Sequence, residues 1–187
     1  MGFIENLSKI RRGPAIMLPK DIGFILANTN IDKDSIVLDA GSGTGLLTCY
    51  LAKFVKKVYS YDNKERHLDI AKENAISEFN LRNIEFIQAD VYHEIKQKDL
   101  DLITLDLSEP WQALNNVHLA LKKEGYLTCY LPNITQVQKL VLAAQDKFKV
   151  LKVSEIIERP WVVEEQRLRP EHNILGHTGW IIILKKK

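Results

Sequence analysis

Four aspartates, Asp39, Asp62, Asp90 and Asp106, each stand at or beside the end of a short apolar run. Carboxylates grouped in this way can accept hydrogen bonds from hydroxyls or amines, tolerate a cationic ligand and take up a proton. The first of them leads directly into glycines. Ile36-Val37-Leu38-Asp39-Ala40-Gly41-Ser42-Gly43-Thr44-Gly45 is followed by Leu46, Leu47, Leu51 and Ala52 at helical spacing. This reads as a buried strand, a tight loop and a helix. Glycine lets a ligand come close to the backbone, and the helix N-terminus behind it offers free N–H groups.

The loop therefore reads as a nucleotide-type cofactor site, with Gly41, Ser42, Gly43, Thr44 and Gly45 as candidate contacts. A dinucleotide loop follows G-x-G-x-x-G, its third glycine standing where helix meets strand. Here the pattern is G-x-G-x-G, and Leu46 holds that third position. Asp39 would also repel a pyrophosphate. S-adenosylmethionine has no phosphate; it carries a sulfonium and an ammonium, which suit nearby acids. The stretch accordingly reads as a methyltransferase loop in preference to a nicotinamide-binding one or a merely tight turn.

The elements that must position these acids alternate between strand and helix. Asp21 stands as N-cap of a helix carrying Ile22, Ile25, Leu26 and Thr29. Strands follow at 36–40, 58–61 (ending at Asp62), 84–89 (ending at Asp90) and 100–107, which carries Asp106. A helix with Leu68, Ala71, Ala75 and Phe79 on one face separates the second and third strands. Pro110 opens another, whose apolar face is Trp111, Leu114, Val117 and Leu121. A fifth strand covers 126–131, and Asn133 with Gln136 reads as a capping box. Strands at 148–157 and 180–184 lack an intervening helix and are joined by a polar, arginine-rich loop. The fold class expected is α/β, the Rossmann-like class I S-adenosylmethionine-dependent methyltransferase, with a seven-stranded, mostly parallel sheet and an antiparallel edge hairpin.

At 187 residues the chain is expected to be one catalytic domain, 1–187, with a short lead over 1–13. A formal charge of +2 does not by itself imply nucleic acid. Cys49 and Cys129 sit in apolar stretches and read as small core residues, and no metal is expected. With no signal peptide and no apolar run near the ~18 residues of a membrane span, the expected setting is cytoplasmic.

Among the acids, Asp62 reads either as the acceptor for two ribose hydroxyls or as a helix N-cap. Asp90 reads as an acceptor from a cofactor adenine amine or as a solvated turn acid. Asp106 lies in Thr104-Leu105-Asp106-Leu107-Ser108-Glu109-Pro110-Trp111. An acid followed by a proline and an aromatic suits an amine methyltransferase for nucleic acid: the acid takes the exocyclic N–H and Trp111 offers a stacking surface. In Arg159 to His172, Arg167 and Arg169 can meet phosphates and His172 a base, or the segment is a solvated edge loop.

Taken together, these segments resemble the tRNA (adenine-N1)-methyltransferase family, archaeal and bacterial type, which modifies adenine-58 of the T-loop and in archaea also adenine-57. The matching residues are Arg11-Arg12-Gly13-Pro14 and Leu18-Pro19-Lys20-Asp21, the glycine stretch, Leu105 to Trp111, and Tyr130-Leu131-Pro132-Asn133-Ile134-Thr135-Gln136-Val137. Arg167 to His172 and Gly176-His177-Thr178-Gly179-Trp180 complete them. The resemblance implies the S-adenosylmethionine cofactor, with Ser42 to Gly45 on its methionine part, Asp62 on its ribose, His67 nearby and Asp90 against its adenine. It implies Asp106 as the catalytic acid, beside the cofactor, and a substrate side that includes His177. It also implies a homo-oligomer, a tetramer. The family carries a small β-rich domain ahead of the Arg-Arg-Gly-Pro motif, and some members have a tyrosine where Leu18 stands. A separate tRNA-binding subunit, a different RNA or small-molecule substrate, and a non-catalytic RNA-binding role are the readings these departures leave open.

Overall fold

The computed structural model describes residues 9–11 and 16–187. Most of the Gly2–Arg12 lead and the Arg12-Gly13-Pro14 part of its motif lie outside the described residues. The elements are α1 (Pro19–Asn28), β1 (Ile36–Ala40), α2 (Leu46–Phe54), β2 (Lys57–Asp62) and α3 (Glu65–Glu73), which opens into a π-turn at Asn74–Glu78. Next come β3 (Ile84–Gln88), β4 (Leu100–Leu105), a 3-10 turn (Pro110–Ala113), α4 (Leu114–Ala120), β5 (Leu121–Leu131) and α5 (Ile134–Ala144). The chain closes with β6 (Phe148–Ser154), β7 (Trp161–Glu164), β8 (Arg167–Pro170) and β9 (Trp180–Lys186).

Seven strands form one sheet in the order β3-β2-β1-β4-β5-β9-β6. The first five are parallel, and β9 runs antiparallel to both β5 and β6. Residues alternate between faces along each strand, so β1 sends Val37 to one core and Leu38 and Ala40 to the other. β9 does the same with Ile181 and Ile183 against Ile182 and Leu184. One core is closed by Leu114, Val117, Leu140 and Ala144 from α4 and α5, the other by Ile22, Ile25, Leu47 and Leu51 from α1 and α2. Both faces are covered, as a parallel sheet requires. The expected helical faces are buried, Leu68, Ala71, Ala75 and Phe79 among them, and both cysteines are free and buried.

Four details differ from the sequence expectation. Leu121 is not on the helical face: it follows α4 as its C-cap, already extended, and pairs with Leu100 before an irregularity that admits Lys122 to Gly125. The regular part of β5 then starts at Tyr126, beside Leu102. The arginine-rich connection is a hairpin of its own, β7 and β8, with Val162 opposite Arg169 and Glu164 opposite Arg167. Asn133 stands at the N-cap position without capping: it donates to Gln136 Oε1 at 3.1 Å, and Gln136 Nε2 donates to the Ser108 carbonyl at 2.9 Å, so a tertiary contact replaces the capping box.

The fourth concerns Asp21, which lies inside the first turn of α1 rather than at its cap. Its side chain is fully buried, paired at 2.8 Å with Lys20, itself 9% exposed. Thr178 Oγ1 donates to Asp21 at 2.9 Å and Tyr130 Oη at 3.3 Å, while Lys20 also donates to the Ile156 carbonyl at 2.6 Å. The pair thus ties α1 to β5 and to the segment entering β9. Removing one partner of such a pair strands the other charge, at about 3–5 kcal/mol. Asp21→Ala should therefore lower unfolding free energy by about that amount in urea titrations, whereas Lys20→Met with Asp21→Leu should cost less. An Asp21→Ala midpoint no lower than that of Asp34→Ala, which breaks the exposed pair with Lys33, would count against this role.

Candidate functional site

Strand order reverses between β1 and β4, the position where open α/β sheets bind ligands outside their carboxyl ends. A cavity of about 370 Å³ opens there. Its walls are the first turn (Ala40, Gly41, Gly43), the end of β2 with the start of α3 (Tyr61 to Lys64, His67), the segment after β3 (Ala89 to Tyr92) and the segment after β4 (Asp106 to Ser108). A hollow of about 20 Å³ adjoins it, where Asp39, Ser42, Thr44 and Met17 meet Gly41, Gly43 and Asp106.

The first turn is built on positive φ at Gly41 (87°) and Gly45 (77°). The Gly41 backbone lies against the Asp106 carbonyl so closely that a Cβ would collide with it. Asp106 N–H in turn donates to the Ala40 carbonyl at 3.0 Å. Ser42 Oγ is held by Ser60 Oγ (2.6 Å) and the Tyr61 carbonyl (2.9 Å). Gly45 lines neither hollow; it starts α2 and packs on Ala71.

The acids solve their burial in different ways. Asp39 is buried and accepts from Thr48 Oγ1 and Thr104 Oγ1, both at 2.6 Å; desolvation nevertheless pushes its pKa up. Asp62 accepts from Lys64 N (2.9 Å) and Gly43 N (3.2 Å), and His67 Nδ1 lies 3.2 Å from it. Lys64, not Asp62, takes the N-cap position of α3. Asp90 Oδ1 accepts from Tyr92 N at 2.9 Å, so this acid both forms its own turn and faces the cavity.

Asp106 differs from all three. It is exposed to solvent at the cavity mouth, while the protein packed on its other sides limits its hydration. Desolvation first, and then the negative charge of Asp39, lift its pKa to about 7. Among the described residues no hydrogen-bond donor counters that shift. A carboxyl poised near neutrality and open to a ligand can accept a hydrogen bond from an amine and take its proton.

The cavity brings together Gly41, Gly43, Asp62, His67, Asp90 and Asp106. It leaves the other sequence candidates outside. Trp111 packs on the core beside α4, with the Lys139 ammonium 4.2 Å from its ring centre. Arg167 is exposed on β8, 3.9 Å from Glu164, Arg169 donates to the Pro170 carbonyl at 3.2 Å, and His172 lies exposed beyond β8. His177 has Nδ1 at 2.9 Å from Glu155 and Nε2 at 3.1 Å from the Pro132 carbonyl; the Glu155 contact is the main reason its pKa rises. Tyr61, Asn63, Lys64, Tyr92, Leu107 and Ser108 are wall residues that sequence reading passed over. The signal for them was position alone, since each stands within two residues of a strand-end acid.

Among the described residues no group of three or more His, Cys, Asp or Glu is placed to hold a metal ion, and no helix is long and apolar enough to cross a membrane.

A profile of the family described as tRNA methyltransferase complex GCD14 subunit matches residues 9–178. The chain is 34% identical, over 98% of its length and 76% of the relative's, to the tRNA (adenine(57)-N(1)/adenine(58)-N(1))-methyltransferase TrmI of Methanocaldococcus jannaschii. Its fold matches the crystal structure of the tRNA (m1A58) methyltransferase TrmI from Aquifex aeolicus with a TM-score of 0.93 at 28% identity, over 100% of this chain and 76% of that one. A SAM-dependent O-methyltransferase from Thermotoga maritima matches with a TM-score of 0.91 at 27% identity, over 100% and 71% of the two chains. A glycine turn facing four strand-end acids, in a chain similar to these enzymes over nearly its whole length, has one family reading: the chain belongs to the tRNA (adenine-N1)-methyltransferase family.

Proposed function

We propose that the chain transfers a methyl group from S-adenosylmethionine to N1 of an adenine in tRNA, at the T-loop position, 58 or 57, for which its relatives are named. The observation that carries this reading is Asp106: an acid open to the cavity, lifted toward neutrality, beside the glycine turn.

The residues fit the cofactor. The cavity volume lies in the usual small-molecule range of roughly 300–1,000 Å³. A Cβ built on Gly43 would meet nothing closer than 3.8 Å, so the backbone there is open to a ligand. Asp62, Asp90 and Asp106 suit hydroxyls, amines and a positive charge, and would disfavour a phosphate. When bound, S-adenosylmethionine supplies an activated methyl group on a positively charged sulfur.

The rest is the work of the chain. The turn Gly41 to Gly45 would hold the methionine part, Asp62 with His67 the ribose, and Asp90 the adenine. Asp106 accepts from the N6 amino group of the target base, orients N1 toward the methyl group, and takes the N6 proton as N1 gains its substituent. General-base help of this kind is worth about 10²–10⁴-fold, and alignment supplies much of the remainder. The target base has to leave its stack, at a few kcal/mol.

RNA is larger than the cavity. Arg167, Arg169 and His172 on the exposed hairpin are our candidates for its backbone. A base stacks on Trp111 only where Lys139 leaves its ring free, and Lys139 is itself a suitable phosphate contact. His177 serves the substrate side by holding Glu155 to the Pro132 carbonyl. A homo-oligomer is supported by eight exposed large apolar side chains between Leu151 and Leu175, of thirteen among the described residues. Trp161, Val163, Leu168 and Pro170 share one face of the β7–β8 pair, and a two-stranded ribbon is marginally stable alone. The compartment that goes with a tRNA substrate is the cytoplasm.

Labelled S-adenosylmethionine and unmodified tRNA transcripts test the reaction, with nucleoside analysis expected to find 1-methyladenosine. Asp106→Asn should lower kcat/KM by about 10²–10⁴-fold with cofactor binding retained; near-normal turnover would exclude its proposed role. A carboxyl whose pKa is raised holds its proton below that value and cannot accept from N6. The wild-type kcat/KM should therefore climb with pH and level off above about 7. A profile flat from acid to neutral pH would contradict this assignment.

A further inference from the structure

Asn74 is 2% exposed, stands where α3 opens into its π-turn and lines neither hollow of the site. Its Nδ2 donates to the Thr44 carbonyl at 2.9 Å and to the Arg11 carbonyl at 3.1 Å. Its Oδ1 accepts from the Arg11 N–H at 2.8 Å. Both amide protons and one acceptor site are thereby used. Turned over, the amide would set its NH₂ against an N–H and its oxygen against two carbonyls, so these partners fix its orientation.

The two segments it joins are distant in sequence. Thr44 lies between Gly43 and Gly45, in the turn whose backbone faces the cavity. Arg11 opens the Arg-Arg-Gly-Pro motif, and its neighbour Ile10 is buried in the core beside α1 and α2. A turn carrying three glycines has more conformational freedom to lose than any other sequence. Its position therefore depends on ties from outside. Ser42 is tied to β2, and Thr44 to Asn74. Should the Lys9–Arg11 segment leave, Asn74 keeps one of three partners, and a buried amide without partners is costly. The Arg11–Glu73 ion pair at 2.8 Å is exposed at both ends and contributes little by comparison.

We propose that Asn74 is a positioning residue of the cofactor site, coupling the docking of the Lys9–Arg11 segment to the shape of the Gly41–Gly45 turn. The segment steadies the turn through the Asn74 amide, and a ligand held by the turn steadies the segment in return, since such coupling is reciprocal. This rests on the cofactor reading above.

Five proteins test it: wild type, Asn74→Ala, Arg11→Pro (which deletes the N–H given to Oδ1), the double variant of these two, and Glu73→Gln. S-adenosylmethionine affinity is measured by calorimetry, and backbone hydrogen exchange over 9–11 and 41–46 with and without that ligand. Asn74→Ala and Arg11→Pro should each weaken binding by about tenfold, the worth of one good hydrogen bond. The double variant should be no weaker than either alone. Activity at saturating cofactor should stay within about twofold of wild type, as for a group that acts on binding rather than on the reacting atoms. Glu73→Gln should bind as wild type. Both peptides should exchange faster in Asn74→Ala, and the ligand should slow exchange at 9–11 in wild type and Glu73→Gln but not in Asn74→Ala. Unchanged affinity and exchange in Asn74→Ala would overturn the proposal. So would a Glu73→Gln loss as large as that of Asn74→Ala, or losses that multiply in the double variant. Arg11→Pro acts outside the sheet, so a failure of Asn74→Ala to fold leaves the test standing. If wild type does not bind S-adenosylmethionine, the cofactor reading fails, and ligand-free exchange still decides whether Asn74 links the two segments.

Discussion

The site depends on one close backbone approach. The parallel ladder of β1 and β4 sets Ala40 beside Leu105, and the Asp106 N–H closes it on the Ala40 carbonyl. The next residue, Gly41, then lies on the Asp106 carbonyl with no space for a side chain. This contact presses the glycine turn and the acid after β4 against each other at the point where strand order reverses. Any larger residue would part them, and the cavity between the first turn and the later strand ends would change shape with it. Van der Waals exclusion, more than any attraction, sets the geometry of the site.

Around that contact the protein groups negative charges that water would otherwise separate. Buried carboxylates are costly unless satisfied, and each here is satisfied to a different degree. Two threonine hydroxyls meet Asp39, and backbone N–H groups with His67 meet Asp62. Asp106 has no such donor among the described residues, and desolvation first, then the charge of Asp39, oppose its ionisation. The linkage has a definite sign. A carboxyl whose folded pKa is raised contributes its stability at acid pH and loses it as pH rises through about 7. A cationic ligand beside Asp106 would favour its ionised form and bring this pKa down.

The periphery follows a different logic. β6 closes the sheet as its edge strand, with Leu151 and Val153 exposed, and the separate β7–β8 ribbon exposes Trp161, Val163 and Leu168. On the ribbon's other face Val162 with Arg169 and Glu164 with Arg167 are the cross-strand pairs. The charged side chains of the ribbon thus lie on the face opposite Trp161, Val163 and Leu168. The buried Lys20–Asp21 pair anchors the base of this region, because Thr178 and the Ile156 carbonyl both bond to it.

Much of this was legible in the sequence. Alternating strands and helices, the glycine turn and the acids ending successive strands dictated an α/β sheet with its site at the strand ends, because hydrophobic period and glycine placement are local properties. The faces of α1 and α3 were readable for the same reason. What the sequence could not specify were the partners chosen across space. Gln136 bonds Ser108 instead of capping α5, Asp21 accepts from Thr178 and Tyr130 instead of capping α1, and Leu121 enters a strand that starts before its regular pairing. In each case a tertiary contact competes with a local preference of similar size and wins. Tyr92 and Tyr61 became wall residues, and Trp111 and His177 stayed outside the cavity, because side-chain direction is set by packing. Asn74 belongs to neither signal. Nothing local marks an asparagine in a helix as a tie between two distant segments, since the hydrogen bonds that define it exist only once α3, the glycine turn and the Lys9–Arg11 segment have come together. Spacing along the chain determined which groups could do the chemistry, and only the packed structure decided which of them meet.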